Sequence, residues 1–302
     1  MLVSLAVHPI GPSHAIWRGL AFVATVCTLA LASCHGEPAG VLTELAEARR
    51  LSADLRVQFS KSSDASNRAV MADTDEASLA FAHEAEESKQ VVQTDVAKLA
   101  SHLRSLGYAD ETRFLEEFIK RFADYLSLDR TVLDLAVENT NLKAQRLSFG
   151  PAQQAADGFR DALEGLASLA SPKDHCRIES VVAKAILAVR DIQVLQAPHI
   201  AEADDAAMSR MEAEMGRLQA IAADALNELA RLVETKATLA ASASLDRFKD
   251  LSRQIVALSR RNSNVRSLAL SLRDKPPLTA ACEDSLRALD EALAKEGFPA
   301  TR

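Results

Sequence analysis

Between residues 115 and 147 apolar side chains return on one helical face, at Leu115, Ile119, Phe122, Leu126, Leu133, Val137, Ala144 and Leu147. Glu116, Glu117, Lys120, Asp124 and Asp134 fall on the opposite face. That period is the mark of an amphipathic α-helix. The breaks between such stretches are few. From Gly40 to Gly107 the chain has neither glycine nor proline, which predicts one long helix. Gly107-Tyr108-Ala109-Asp110 then predicts a turn, with Asp110 as N-cap. A second helical stretch runs to about Ser171 and is interrupted at Gly150-Pro151. A third runs from Asp174 to about Val233, kinked at Pro198. A turn follows at Glu234 to Thr238. A fourth stretch reaches Leu272, breaks at Lys275-Pro276-Pro277 and resumes from Leu278 to Lys295. Residues 60–76 are polar and rich in serine, so the first helix either bends or breaks there, or packs with small side chains.

Four long stretches joined by short turns predict an all-α fold, a long up-down-up-down four-helix bundle. The expected organisation is a signal peptide over 1–33, a linker over 34–41 and a bundle over 42–297. Its hairpins are 42–171 and 173–297.

The hairpins look duplicated. The segment Leu128 to Lys143, with Glu138-Asn139-Thr140-Asn141 at its centre, has a counterpart at Leu251 to Arg266, with Arg261-Asn262-Ser263-Asn264. Leu147-Ser148-Phe149 likewise matches Leu270-Ser271-Leu272, and a proline break follows each copy. In the expected bundle the second and fourth helices are parallel and diagonal. Asn139, Thr140 and Asn141 then meet Asn262, Ser263 and Asn264 in one polar layer. Buried amides need partners. Such a layer either fixes the register of the helices, the favoured reading, or binds a small polar ligand between them.

Composition narrows the function. The chain has 302 residues, a formal net charge of −7, and no basic cluster, so no nucleic-acid partner is expected. Its beginning reads as an address. Arg18 precedes an apolar run from Gly19 to Ala30, shorter than a membrane span, which ends in Leu31-Ala32-Ser33-Cys34. These four residues resemble a bacterial lipobox. The resemblance implies cleavage before Cys34, acylation of its sulfur and amino group, and a lipid anchor in the membrane. His35 after the cysteine mildly favours the outer membrane, with the mature chain on the periplasmic face of the envelope. Beyond Cys27 and Cys34 the cysteines are Cys176 and Cys282. Export permits a disulfide between them, but two separate buried thiols are the favoured expectation.

The chain also resembles the periplasmic four-helix-bundle sensor domain of methyl-accepting chemotaxis receptors. The likeness is carried by Asn67 to Ala77, Glu138 to Pro151 and Ile192 to Glu202. It implies a module that senses a small molecule or a partner protein. The sequence departs from those receptors in showing no second span and no cytoplasmic signalling hairpin. The expectation is therefore a lipid-anchored binding or sensing module without its own output. The alternative is a scaffolding lipoprotein that works through contacts with an envelope protein.

Other chemistry is thin. His199 and Glu202 are spaced as in a reversed di-iron motif, but a second such motif is missing, and His83 with Glu86 and Glu87 reads as an exposed face. No metal and no cofactor is expected. There is no phosphate-binding glycine loop and no nucleophile elbow, so no catalytic residues and no enzymatic activity are expected.

Overall fold

The computed structural model describes residues 37–168, 171–233 and 236–296. The leader and Cys34 lie outside the described residues. Within them the chain is helical, and no strand occurs among the described residues. The helices are α1 (Glu37–Met71), α2 (Asp75–Leu106), α3 (Ala109–Glu138), α4 (Thr140–Leu147), α5 (Gln153–Ser168), α6 (His175–Ala201), α7 (Asp205–Leu232), α8 (Lys236–Arg261), α9 (Ser263–Arg273) and α10 (Lys275–Lys295).

The first and third stretches do not run as single helices. Each folds back on itself: α1 meets α2 through Ala72-Asp73-Thr74, and α6 meets α7 through Glu202-Ala203-Asp204. Neither tip holds a glycine or a proline, so the glycine and proline breaks miss them, although the first tip falls inside the polar stretch 60–76. What marks each reversal is an N-cap that starts the returning helix. Thr74 Oγ1 accepts from Ala77 N at 3.1 Å, and Asp204 Oδ1 accepts from Ala207 N at 2.6 Å. Both residues have extended backbones, as N-caps do. Pro198 sits inside α6, three residues before its end.

The second and fourth stretches are continuous rods. In the first rod α3, α4 and α5 follow one another through Asn139 and a π-helical turn, Ser148–Ala152, that absorbs Pro151. In the second, α8, α9 and α10 follow through Asn262, and Pro276 and Pro277 sit at the start of α10, where the missing N–H costs nothing. Arg121 of α3 donates to Ala281 O of α10 at 3.0 Å, while Asp129 meets Lys275 at 2.9 Å. As one number rises the other falls, so the rods are antiparallel and not parallel as expected.

The consequence is two four-helix groups in place of one long bundle. The terminal bundle contains α1, α2, α3 and the α9–α10 rod end; the medial bundle contains α4–α5, α6, α7 and α8. Each half of the chain supplies a hairpin and half a rod to one bundle, then sends the rest of its rod into the other. The two cores are distinct. The medial core packs Phe159, Leu163, Ile178, Ile192, Leu229 and Phe248. The terminal core packs Leu51, Leu55, Leu99, Leu289 and an aromatic cluster. There Phe59 meets Phe118, Phe122 and Tyr125 edge-on at 5.1–6.1 Å. Each such side chain contributes roughly 1.5–3 kcal/mol by leaving water.

The buried line of α3 is Leu115, Phe118, Phe122, Tyr125, Asp129, Val132 and Ala136. Ile119 is exposed, while Glu116, Glu117, Lys120, Asp124 and Asp134 face solvent as expected. At the α2–α3 turn Gly107 takes φ +73° as the left-handed helix terminator, and its N–H reaches Arg104 O. Asp110 is not the cap; it lies in the first turn of α3, 3.3 Å from Arg113. Both expectations for residues 60–76 are met: up to Met71 the stretch is helical and packs with small side chains, since Ser62, Ala65, Ser66 and Ala69 are buried, and it breaks at Ala72-Asp73-Thr74. Cys282 is buried, but Cys176 is exposed, and both are free. The expected pair of buried thiols therefore holds for one of them. Burial pushes the Cys282 thiol up to about 12.

Candidate functional site

The rods cross where the bundles meet, and the six residues singled out from the repeat all lie at that waist. Asn139 and Asn262 are left-handed, with φ +50° and +54°. They are the only non-glycine residues so placed among the described residues. Asparagine tolerates this region better than other side chains. A left-handed residue interrupts the helical hydrogen-bond ladder, so backbone N–H groups just beyond it need other acceptors.

Those acceptors come from the other rod. Thr140 N donates to Ser263 Oγ at 3.0 Å, and Ser263 N donates to Thr140 Oγ1 at 3.0 Å. Asn141 N donates to Asn264 Oδ1, and Asn264 N to Asn141 Oδ1, both at 3.1 Å. Asn264 Nδ2 reaches Asn139 Oδ1 at 2.9 Å, and Asn141 Nδ2 reaches Asn262 Oδ1 at 2.8 Å. The repeat is thus a local two-fold exchange, each rod capping the other. Arg261 closes the outside of the layer by pairing with Glu138, and its cation holds that carboxyl below the usual range.

Polar layers flank the waist on both sides, at matching steps of the two halves. In the medial bundle the layer is neutral: Ser148 Oγ donates to Gln196 Oε1 at 2.6 Å, and Gln196 Nε2 donates to Ser252 Oγ at 3.1 Å. The matching layer of the terminal bundle is charged. Asp129, wholly buried, pairs with Lys89 at 2.7 Å and Lys275 at 2.9 Å, and accepts from Ser66 Oγ at 2.5 Å. Burial alone raises the Asp129 carboxyl, but the two ammonium groups outweigh it and hold it below the ordinary range. Burial lowers the Lys275 ammonium, with Asp129 opposing.

Closer to the waist the halves differ again. His199 is fully buried, with Nδ1 at 2.9 Å from Ser259 Oγ and Nε2 at 2.9 Å from Glu212 Oε1. Arg260 Nε meets the same Glu212 oxygen at 2.6 Å. The Arg260 hydrogen bond, with a smaller share from His199, holds the Glu212 carboxyl low. The matching steps of the first half are Ala69 and Ala136, bridged by Ser78 Oγ at 3.1 Å from each carbonyl. This cluster was not legible as a site: the partner of His199 is not Glu202, whose carboxylate accepts from Ala203 N and Asp204 N in the tip. The ring is held by groups on α7 and α8. His83 is exposed, and no group of three metal-ligating side chains occurs among the described residues.

The larger grooves lie away from the six waist residues. One of about 650 Å³ runs between α1 and α10, past Arg56, Val57, Phe59 and Arg287. Another of about 500 Å³ runs between the first rod and α6, past Phe149, Arg160, Arg190 and Val194. No helix of the described residues is long and apolar enough to cross a membrane.

No protein family matches the chain, and no curated protein matches it. Among solved structures the chain is similar to the sensor domain of the histidine kinase TorS from V. parahaemolyticus, at 11% identity and a TM-score of 0.47 over 82% of this chain and 97% of that one. It is also similar to the TorS sensor domain in complex with TorT in the presence of TMAO, at 12% identity and a TM-score of 0.39 over 83% of this chain and 100% of that one. Values this low leave the function to be argued from the geometry of the chain itself.

Proposed function

We propose that this protein is a binding or sensing module of the bacterial cell envelope, tethered by acylation of Cys34 and carrying out no reaction of its own. The observation behind this reading is the pair of rods that each pass from one bundle into the other across a left-handed asparagine. A shift imposed on α5 or α8 in the medial bundle has a rigid path into α3 and α10 of the terminal bundle, through an exchange of hydrogen bonds. That is the coupling a sensing module needs. The site of occupation is a surface groove, because the polar groups of the waist largely satisfy one another.

The competing reading is a scaffold that acts through contacts with an envelope protein. The waist, closed but for Asn139 Nδ2, favours it, since a ligand-binding layer would leave more of its amides open. One preparation separates the two. The full chain is purified from membranes and its mass is measured intact and under native conditions. Sensing predicts diacyl modification at Cys34, a retained small molecule, and a rise in melting temperature with one member of a metabolite panel. Acylation with no retained molecule, no thermal shift and a stoichiometric envelope protein would replace sensing by scaffolding. An intact leader would remove the tether.

A further inference from the structure

The two hairpin tips at the waist are related by the repeat but are not held alike. The α6–α7 tip is pinned to the crossing by two side-chain amides. Asn141 Nδ2 donates to Ile200 O at 2.6 Å, and Asn262 Nδ2 donates to Glu202 O at 2.8 Å. Counting back from the two N-caps, Asp204 and Thr74, the matching carbonyls of the first half belong to Val70 and Ala72. The matching amides are those of Asn264 and Asn139. Asn264 Nδ2 is turned to Asn139 Oδ1. Asn139 is 0% exposed, and its Nδ2 has no hydrogen-bond partner. A buried donor without an acceptor is destabilising, and native proteins rarely leave one.

What holds the α1–α2 tip is weaker and further out. Ser78, one helical turn into α2, has a single hydroxyl proton for two carbonyls, Ala69 O and Ala136 O. Arg146 of α4 reaches Asp75 at 3.0 Å in a solvent-exposed pair, a contact of small worth. Met71, at the end of α1, is 71% exposed.

We propose that the α1–α2 tip is a latch with a second, seated position, in which the turn at Ala72–Thr74 moves in and a tip carbonyl accepts the orphaned Asn139 Nδ2 proton. Seating reproduces in the first half the bond that Asn262 makes to Glu202 O in the second. The structure shows the tip unseated. Both positions are populated in solution, and movement between them shifts the end of α1 against the first rod. The device is a two-state joint on one side of an otherwise two-fold crossing.

Hydrogen–deuterium exchange of the full chain, resolved to peptides spanning 68–78 and 198–208, tests this. Two variants remove the donor at Asn139. Asn139→Gly suits the left-handed backbone, and Asn139→Asp keeps the acceptor that Asn264 uses. The expected result is that either variant, still folded by circular dichroism, exchanges at least about twofold faster over 72–77, because the seated share is lost. Exchange over 203–207 stays unchanged. Wild-type rates over 72–77 in either folded variant overturn the latch. So does a wild-type first tip as protected as the second, since one that spends time unseated must exchange faster.

Discussion

Asn141 and Asn264 each donate a backbone N–H to the other's side-chain oxygen, at 3.1 Å in both directions. The exchange means that neither amide can be replaced without stranding the other residue's backbone. Asn141→Leu removes the acceptor of Asn264 N and both bonds of Asn141 Nδ2. We expect a loss of roughly 2–4 kcal/mol in urea unfolding, because several buried groups are left unpaired. An unchanged or higher midpoint would show that the layer is not what joins the rods.

Asp129 and Ser252 occupy matching steps of the two halves, yet removing them differs in kind. Asp129→Ala leaves two ammonium groups buried beside each other and is expected to cost about 3–5 kcal/mol. Ser252→Ala removes one neutral bond to Gln196 and is expected to cost about 1 kcal/mol. Equal losses in denaturant unfolding would contradict the charge reading.

Acid should find the same groups. The Asp129 and Glu212 carboxyls are both held below their ordinary values in the folded chain. A depressed folded value means that the unfolded chain takes up the proton first as pH falls. The stability each contributes is full above the unfolded value near 4 and is lost as pH drops through the folded one. The urea midpoint should therefore decline below about pH 4. Arg260→Ala, which takes away the main partner of Glu212, should make that decline shallower.

The thiols should separate by burial. Cys176 is exposed, while Cys282 is buried with its thiol pushed up to about 12. Iodoacetamide at pH 8, followed by peptide mapping, should modify Cys176 within minutes and leave Cys282 intact until the protein unfolds, since the thiolate is the reactive form. Labelling of both at one rate would place Cys282 outside the core.

Helical class, the rods and the polar waist are legible in the sequence because each has a local signature. Asn139-Thr140-Asn141 and Asn262-Ser263-Asn264 announce themselves by repetition, and they do meet. Their left-handed backbones are less visible, since asparagine is also common in ordinary turns. The hairpin tips are hidden for another reason. Ala72-Asp73-Thr74 and Glu202-Ala203-Asp204 hold no glycine or proline; the polarity of residues 60–76 is the one hint of the first reversal, and reversals made by polar side chains such as Thr74, Glu202 and Asp204 look like continuous helix. Missing those two reversals turns antiparallel rods into parallel ones and two bundles into one. The charged layer was hidden too: Asp129, Lys89 and Lys275 lie far apart in the chain, and a charged side chain on a helix is ordinarily read as facing water.

Because each half lends a rod to the other, the order of synthesis has a cost. The hairpin of α1 and α2 leaves the ribosome with α3, yet its fourth wall, α9 and α10, is the last of the described helices to be made. Arg49 waits for Leu293, a partner 244 positions downstream. Until it arrives, Phe59 and its aromatic neighbours have one side open to whatever else is nearby. Such late closure slows folding and invites mispairing between nascent copies. Premature termination anywhere before Lys275 leaves Asp129 without one of its two cations.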